Sequence, residues 1–162
     1  KTSCTMMYGI GETPAERIEH LVRLKDLQAR TGGFTAFICW PLQPENTPTM
    51  SQMPKTDAVE YLRTTAFART VLDNIPNIQA SWVTMGLKVG QVALHYGCND
   101  FGSLMLEENV VSAANMTHRT TTDEIESLIR GAGFTPKRRT MLYEIVGDPY
   151  CWTRQAAERV AG

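Results

Sequence analysis

Cys4-Thr5-Met6-Met7-Tyr8-Gly9-Ile10-Gly11-Glu12-Thr13-Pro14-Ala15-Glu16 decides how this chain folds. An apolar run ends on two glycines. Thr13, Pro14 and Glu16 then supply a capping box with proline at the first helical position. Ile18, Leu21, Val22 and Leu24 continue that start as the apolar face of a helix, which Thr31-Gly32-Gly33 closes. Strand, glycine turn and capped helix make one βα unit, and the rest of the chain repeats the pattern.

Phe34 to Trp40 is apolar almost throughout, as expected of a strand buried on both faces. Pro41, Pro44, Pro48 and Pro54 punctuate a loop of about a dozen residues, a length that suggests function. Asp57 with Glu60 caps the next helix, whose inner face is expected to carry Val59, Leu62, Ala66 and Thr70. A third strand is expected around Ile78 to Val83, then a short helix over Gly86 to Tyr96 stopped by Gly97. Asn99-Asp100-Phe101 reads as a very short fourth strand and Leu106 to Ala114 as helix. Thr121-Thr122-Asp123-Glu124 caps a further helix with Ile125, Leu128, Ile129 and Ala132 on one face. Thr140 to Val146 reads as a last extended segment, and Trp152 to Val160 as a terminal helix. Such alternation argues an α/β fold of parallel βα units. An open doubly wound sheet and part of a (β/α)8 barrel both accommodate it. A full barrel needs about 250 residues, and periodicity does not choose between the two.

The 162 residues weigh 18.1 kDa, room for one sizeable core. Sixteen Lys plus Arg against seventeen Asp plus Glu leave a net charge of −1, which argues against dedicated nucleic-acid binding. Hydrophobic content of 43% and charged content of 20% argue against disorder. No apolar run approaches the roughly 18 residues of a membrane span, and no signal-peptide pattern opens the chain. Because Lys1 rather than Met comes first, a piece of a longer product is expected. Cysteines at 4, 39, 98 and 151 are spaced by 35, 59 and 53 residues, neither a metal knuckle nor a disulfide framework. Each lies in or beside a separate apolar element and reads as a small core filler, and a reducing cytoplasm fits best.

Gly9-Ile10-Gly11-Glu12 fails as a dinucleotide fingerprint because Pro14 occupies the third glycine position. Two readings remain: a tight turn that lets a ligand approach the backbone beside an accepting carboxylate, or a plain entry into a helix whose dipole favours Glu12. Trp40 and Gln43 in the proline loop can stack on a ring and read its polar edge, or merely stiffen the loop and cover the core. Ser81-Trp82-Val83-Thr84 repeats the theme, and Asn99-Asp100, Ser103 and Glu107-Glu108 follow the fourth strand. Adjacent Glu107 and Glu108 point about 100° apart on a helix, so at most one faces a pocket. Polar groups thus recur where parallel strands end, which is where α/β folds bind small molecules. His118 is a candidate general base. His20, His95 and His118 show no ligand spacing, His20 suits a surface or capping role, and Arg138-Arg139 suits a solvated face.

Thr5 to Thr13, Trp40 to Pro44, Ser81 to Gly86, and Asn99-Asp100-Phe101-Gly102-Ser103-Leu104-Met105-Leu106-Glu107-Glu108-Asn109-Val110-Val111 together resemble the radical S-adenosylmethionine enzymes of the futalosine route to menaquinone. The branch that cyclises dehypoxanthine futalosine is most similar; aminofutalosine synthases and the deazaflavin-forming enzymes are related. The resemblance covers nearly the whole chain in the family's order. It implies the C-terminal half of a radical S-adenosylmethionine (β/α) TIM-type barrel: residues 1–114 as βα units and 115–162 as an extension packing on the barrel.

It further implies an S-adenosylmethionine site at Gly9, Gly11 and Glu12, and a substrate pocket with Trp40, Gln43, Ser81, Thr84, Asn99 and Asp100. Glu108 or His118 is the implied base for the last deprotonation. The implied cofactors are S-adenosylmethionine and a 4Fe–4S cluster, whose C-x3-C-x2-C ligands the family carries in its N-terminal half. That spacing does not occur here, so no metal ligand is expected in this chain. Alone it is expected to be inactive, with the N-terminal half as its partner. The chemistry implied is hydrogen abstraction from the substrate ribose by a 5′-deoxyadenosyl radical, closure of the sugar radical onto a benzoate ring, and loss of an electron and a proton. A half-barrel that only self-associates is the reading from outside catalysis.

Overall fold

Helices α1 (Pro14–Thr31) and α2 (Ala58–Val71) pack against parallel strands β1 (Thr2–Tyr8) and β2 (Phe34–Pro41) in the computed structural model. The structure describes residues 1–45, 47–104 and 120–147. After α2 come β3 (Asn77–Gln79), α3 (Trp82–Met85), α4 (Leu87–Ala93), a 3-10 turn (Leu94–Tyr96) and α5 (Thr122–Gly131). The sheet runs β1-β2-β3, and a parallel bridge from Gln79 to Asp100 adds the expected fourth position. This is a mixed α/β architecture with a small parallel sheet.

The local signals for α1 act as read. Thr13 Oγ1 accepts from Glu16 N at 3.3 Å, Glu16 Oε2 accepts from Thr13 N at 2.7 Å, and Gly32 closes the helix in the left-handed region. Asp57 caps α2 by accepting from Glu60 N at 2.8 Å. Thr121 caps α5 in the same way, and Ile125, Leu128, Ile129 and Ala132 are partly buried along it.

β2 is covered by helices on one face only; on the other, Ala36 is still buried and Ile38 partly so, and the expectation of burial on both faces fails at the strand's end. Pairs Cys4–Phe37 and Met6–Cys39 lie on the buried face. Thr5–Ile38 and Met7–Trp40 lie on the other, where Met7 is 54% and Trp40 41% exposed. Both long helices sit on the first face, so strand alternation leaves the second one bare towards its Met7–Trp40 end. α2 turns a shifted face inward: Leu62 packs partly buried against the core and Ala66 is partly buried, as expected, but the buried centre lies elsewhere. Tyr61, Thr64, Thr65 and Ala68 are buried, while Val59 and Thr70 are exposed. Tyr61 sets that rotation: its ring is fully buried, and its hydroxyl accepts from Ser81 N at 2.8 Å.

β3 ends at Gln79, so the expected run to Val83 is too long. Ser81 opens a helical turn instead, and the Trp82 indole N–H donates to Phe101 O at 2.8 Å. Thr140 to Val146 is a tight loop rather than an extended segment. Thr140 N donates to Glu144 O at 2.8 Å and Tyr143 has φ 66°. Cys4, Cys39 and Cys98 fill the core as expected, beside Tyr8, Phe37, Leu72, Ile75 and Ile78. The helices read over Leu106 to Ala114 and Trp152 to Val160, and Cys151, lie outside the described residues. Among the described residues, no helix is long and apolar enough to cross a membrane.

Candidate functional site

β1 delivers its last residue, Tyr8, into the core and then reverses direction through two left-handed glycines. Gly9 has φ 85° and Gly11 has φ 104°, values that L side chains rarely adopt. At Gly9 a Cβ would also stand 2.9 Å from Thr56 Oγ1. The Glu12 carboxylate folds back over this turn. It accepts from Gly9 N at 2.8 and 3.0 Å, from Ile10 N at 2.8 Å and from Arg17 Nε at 2.6 Å. Partial burial works to raise its pKa, but the two backbone N–H groups and Arg17 outweigh burial and hold the carboxyl below the usual range. Arg17 also donates to Glu60 on α2.

Gly9, Gly11, Glu12, Arg17, Glu60 and the strap Met53–Asp57 enclose a cavity of about 310 Å3. Bare backbone on one wall admits a small ligand, and three carboxylates (Glu12, Asp57, Glu60) against two cations (Arg17, Lys55) leave the lining one negative charge. Arg17, Thr56 and Glu60 escaped the sequence reading as site residues. A legible signal existed for Arg17: it falls in the first turn of α1, five residues after Glu12.

The remaining expected residues divide by place. Asn99 and Asp100 line a second cavity of about 830 Å3, between the fourth strand position and α5. Asp100 is engaged there by Arg139 Nη2 at 2.6 Å, Arg139 Nε at 3.0 Å, Tyr143 Oη at 2.7 Å and Gly102 N at 3.0 Å. Arg139 is therefore 19% exposed, not solvated as read, while Arg138 remains on the surface beside Glu126. Ser81 and Thr84 are buried, with their hydroxyls 3.0 Å apart. The Gln43 amide donates to Pro41 O and Leu42 O, and Trp40 lies on the bare face of the sheet. These four residues line neither cavity. His20 is exposed beside Thr5 O. Glu107, Glu108 and His118 lie outside the described residues.

No group of three or more His, Cys, Asp or Glu among the described residues can hold a metal. Burial pushes the Cys4 and Cys39 thiols up to about 11 and Cys98 higher still, so none is a ready thiolate. The donor set present does not fit an iron–sulfur cluster.

A family profile described as "CofH/MqnC C-terminal region" matches residues 31–151. The chain is 54% identical over 144 residues to a cyclic dehypoxanthine futalosine synthase of Halalkalibacterium halodurans, an alignment that spans 89% of this chain and 39% of that protein. A protein of the same name from Streptomyces coelicolor is 53% identical, over 89% of this chain and 36% of its own length. A 5-amino-6-(D-ribitylamino)uracil–L-tyrosine 4-hydroxyphenyl transferase of Methanosarcina mazei is 43% identical, over 88% of this chain and 40% of its own length. The chain thus spans well under half the length of these curated relatives.

Proposed function

Because this chain belongs to the CofH/MqnC C-terminal region family, we propose that it is the C-terminal part of a radical S-adenosylmethionine enzyme that cyclises dehypoxanthine futalosine in menaquinone biosynthesis. The observation that carries the substrate is the identity gap: 54% and 53% to the two futalosine synthases against 43% to the transferase. In this reading β1, β2, β3 and the Asp100 position are consecutive staves of a TIM-type barrel completed by an N-terminal half. The chain alone is inactive, and residues 115–162 form an extension on the barrel.

The cavity at Gly9, Gly11 and Glu12 is assigned to S-adenosylmethionine. Its two bare glycines admit a ligand to the backbone, and the lining as a whole keeps one negative charge toward a cationic ligand. S-adenosylmethionine together with a 4Fe–4S cluster would supply hydrogen-atom abstraction when bound. The described residues do not fit that cluster, and its ligands are assigned to the N-terminal half. This chain's part is to bind, orient and exclude water. The bare sheet face with Trp40 suits a flat aromatic acid, and Glu108 or His118 is assigned the closing deprotonation.

The full-length protein, reduced and supplied with S-adenosylmethionine, is expected to convert dehypoxanthine futalosine to the spiro-cyclic product. Turnover instead of an aminofutalosine precursor, or of tyrosine with 5-amino-6-(D-ribitylamino)uracil, would move the chain to another branch of the family.

A further inference from the structure

Arg17 is held at four points, the weakest a 3.4 Å contact from Nη1 to Thr64 Oγ1. Its Nε donates to Glu12 at 2.6 Å and its Nη1 to Glu60 on α2, while its guanidinium carbon lies 4.6 Å from the centroid of the buried Tyr8 ring. It is 19% exposed on a helix whose neighbouring charged residues, Glu16 and Glu19, face solvent. Burial alone would lower its pKa, but Glu12 and Glu60 together raise it, so the fork carries its charge at every working pH.

Glu12 receives four contacts: two from Gly9 N, one from Ile10 N and one from Arg17. The Gly9 N–H is shared between both oxygens, so three donors occupy the carboxylate and each oxygen already accepts twice. Glu12 is thus the form around which the glycine turn is wound rather than a free acceptor for a ligand. Arg17 is the one side chain among these donors, and it fixes the carboxylate from the side away from the turn.

We propose that Arg17 is a positioning residue: acting through Glu12, it holds the Gly9-Ile10-Gly11 backbone in the shape that receives the cofactor, and through Glu60 it ties that shape to α2. The inference rests on the assignment of this cavity to S-adenosylmethionine. Lysine cannot substitute, because an ammonium is a point charge without a planar fork to span two carboxylates or a flat face to lie over Tyr8.

The test is calorimetric titration of S-adenosylmethionine into the full-length protein, with thermal unfolding of each variant beside it. Arg17→Lys is expected to weaken binding about tenfold, and Glu12→Gln by a similar factor. The double variant should bind no more than about twofold more weakly than Glu12→Gln alone, because Arg17 has lost the group it acts through. A general loss of stability would instead multiply the two effects, and that result overturns the proposal, as does native affinity in Arg17→Lys. If Arg17→Lys fails to fold, Glu60→Gln keeps the Arg17–Glu12 pair and decides the matter. Weakened binding upholds the tie to α2, and unchanged binding overturns it. Gly11→Val separates the premise from the inference: unchanged affinity there removes the cofactor from this cavity, whatever Arg17 does.

Discussion

Asn99 closes the end of the short β3 strand with a single side chain. Its Oδ1 accepts from Ile78 N at 2.9 Å and from Arg69 Nη2 at 3.0 Å, and its Nδ2 donates to Pro76 O and Asn77 Oδ1, both at 3.2 Å. Four bonds of this kind make the amide a fastener between the fourth strand position, β3 and α2. Asn99→Ala strands an N–H of β3 and frees the Arg69 fork, so a loss of about 2 kcal/mol is expected, seen as a lower urea midpoint with an unchanged slope. A substrate contact would behave differently: the urea midpoint would hold, and KM for the futalosine would rise in the full-length enzyme. The sequence reading marked this residue for its polarity at a strand end, and that much was correct. Whether a polar group at such an end faces a ligand or a neighbouring strand depends on Arg69 and Pro76, both distant in the chain.

α1 shows which elements are legible before folding. Every signal that starts and stops it is local: Thr13, Pro14 and Glu16 at one end, Gly32 at the other. Thr13→Ala removes the capping oxygen and is expected to cost about 1 kcal/mol, lowering Tm by about 2–4 °C. The same change should leave α2 and β2 protected in hydrogen exchange, since Asp57 caps α2 independently. The loop 140–146 is the opposite case. Its apolar pattern suggests a strand, but Asp100, roughly forty residues earlier, draws in Arg139 and Tyr143, and Arg139 also stacks 3.9 Å from the Tyr143 ring centroid. No window over 140–146 contains that carboxylate. The inward face of α2 escaped for a related reason, because Tyr61 is chosen by its bond to Ser81 in a later segment. Periodicity therefore reads elements bounded by their own residues and misreads those aimed by a partner elsewhere. The glycine turn was legible as a turn of open backbone, while the cavity beside it, with Arg17 and Glu60 in its lining, exists only once α1 and α2 come together.

At the scale of the molecule, buried thiols and a bare sheet face set its limits. Cys4 and Cys39 ionise in the folded chain only near 11, and Cys98 later, whereas an unfolded thiol does so near 8.5. Between those values the unfolded state holds fewer protons, so folding stability is full below about pH 8.5 and falls as pH rises towards 11. Glu12 works at the other limit: its lowered pKa contributes stability above the ordinary carboxylate range, lost as acid protonates it. Urea midpoints measured across pH should show both flanks, and Cys39→Ser should flatten the alkaline one. The bare face has a consequence of its own. Met7 and Trp40 stand side by side on it, 54% and 41% exposed, and β1 is an edge strand of the described sheet with only β2 beside it. An apolar face joined to an open strand edge is the combination that pairs with other chains. In the barrel reading an N-terminal half covers both. Prepared alone, the 162-residue chain is therefore expected to elute from a sizing column above its 18.1 kDa mass, and to return towards monomer when Met7 and Trp40 are replaced by Lys and Gln. A sharp monomer peak from the unaltered chain would mean that this face is content in water, and the case for a covering half of the barrel would lose its physical support.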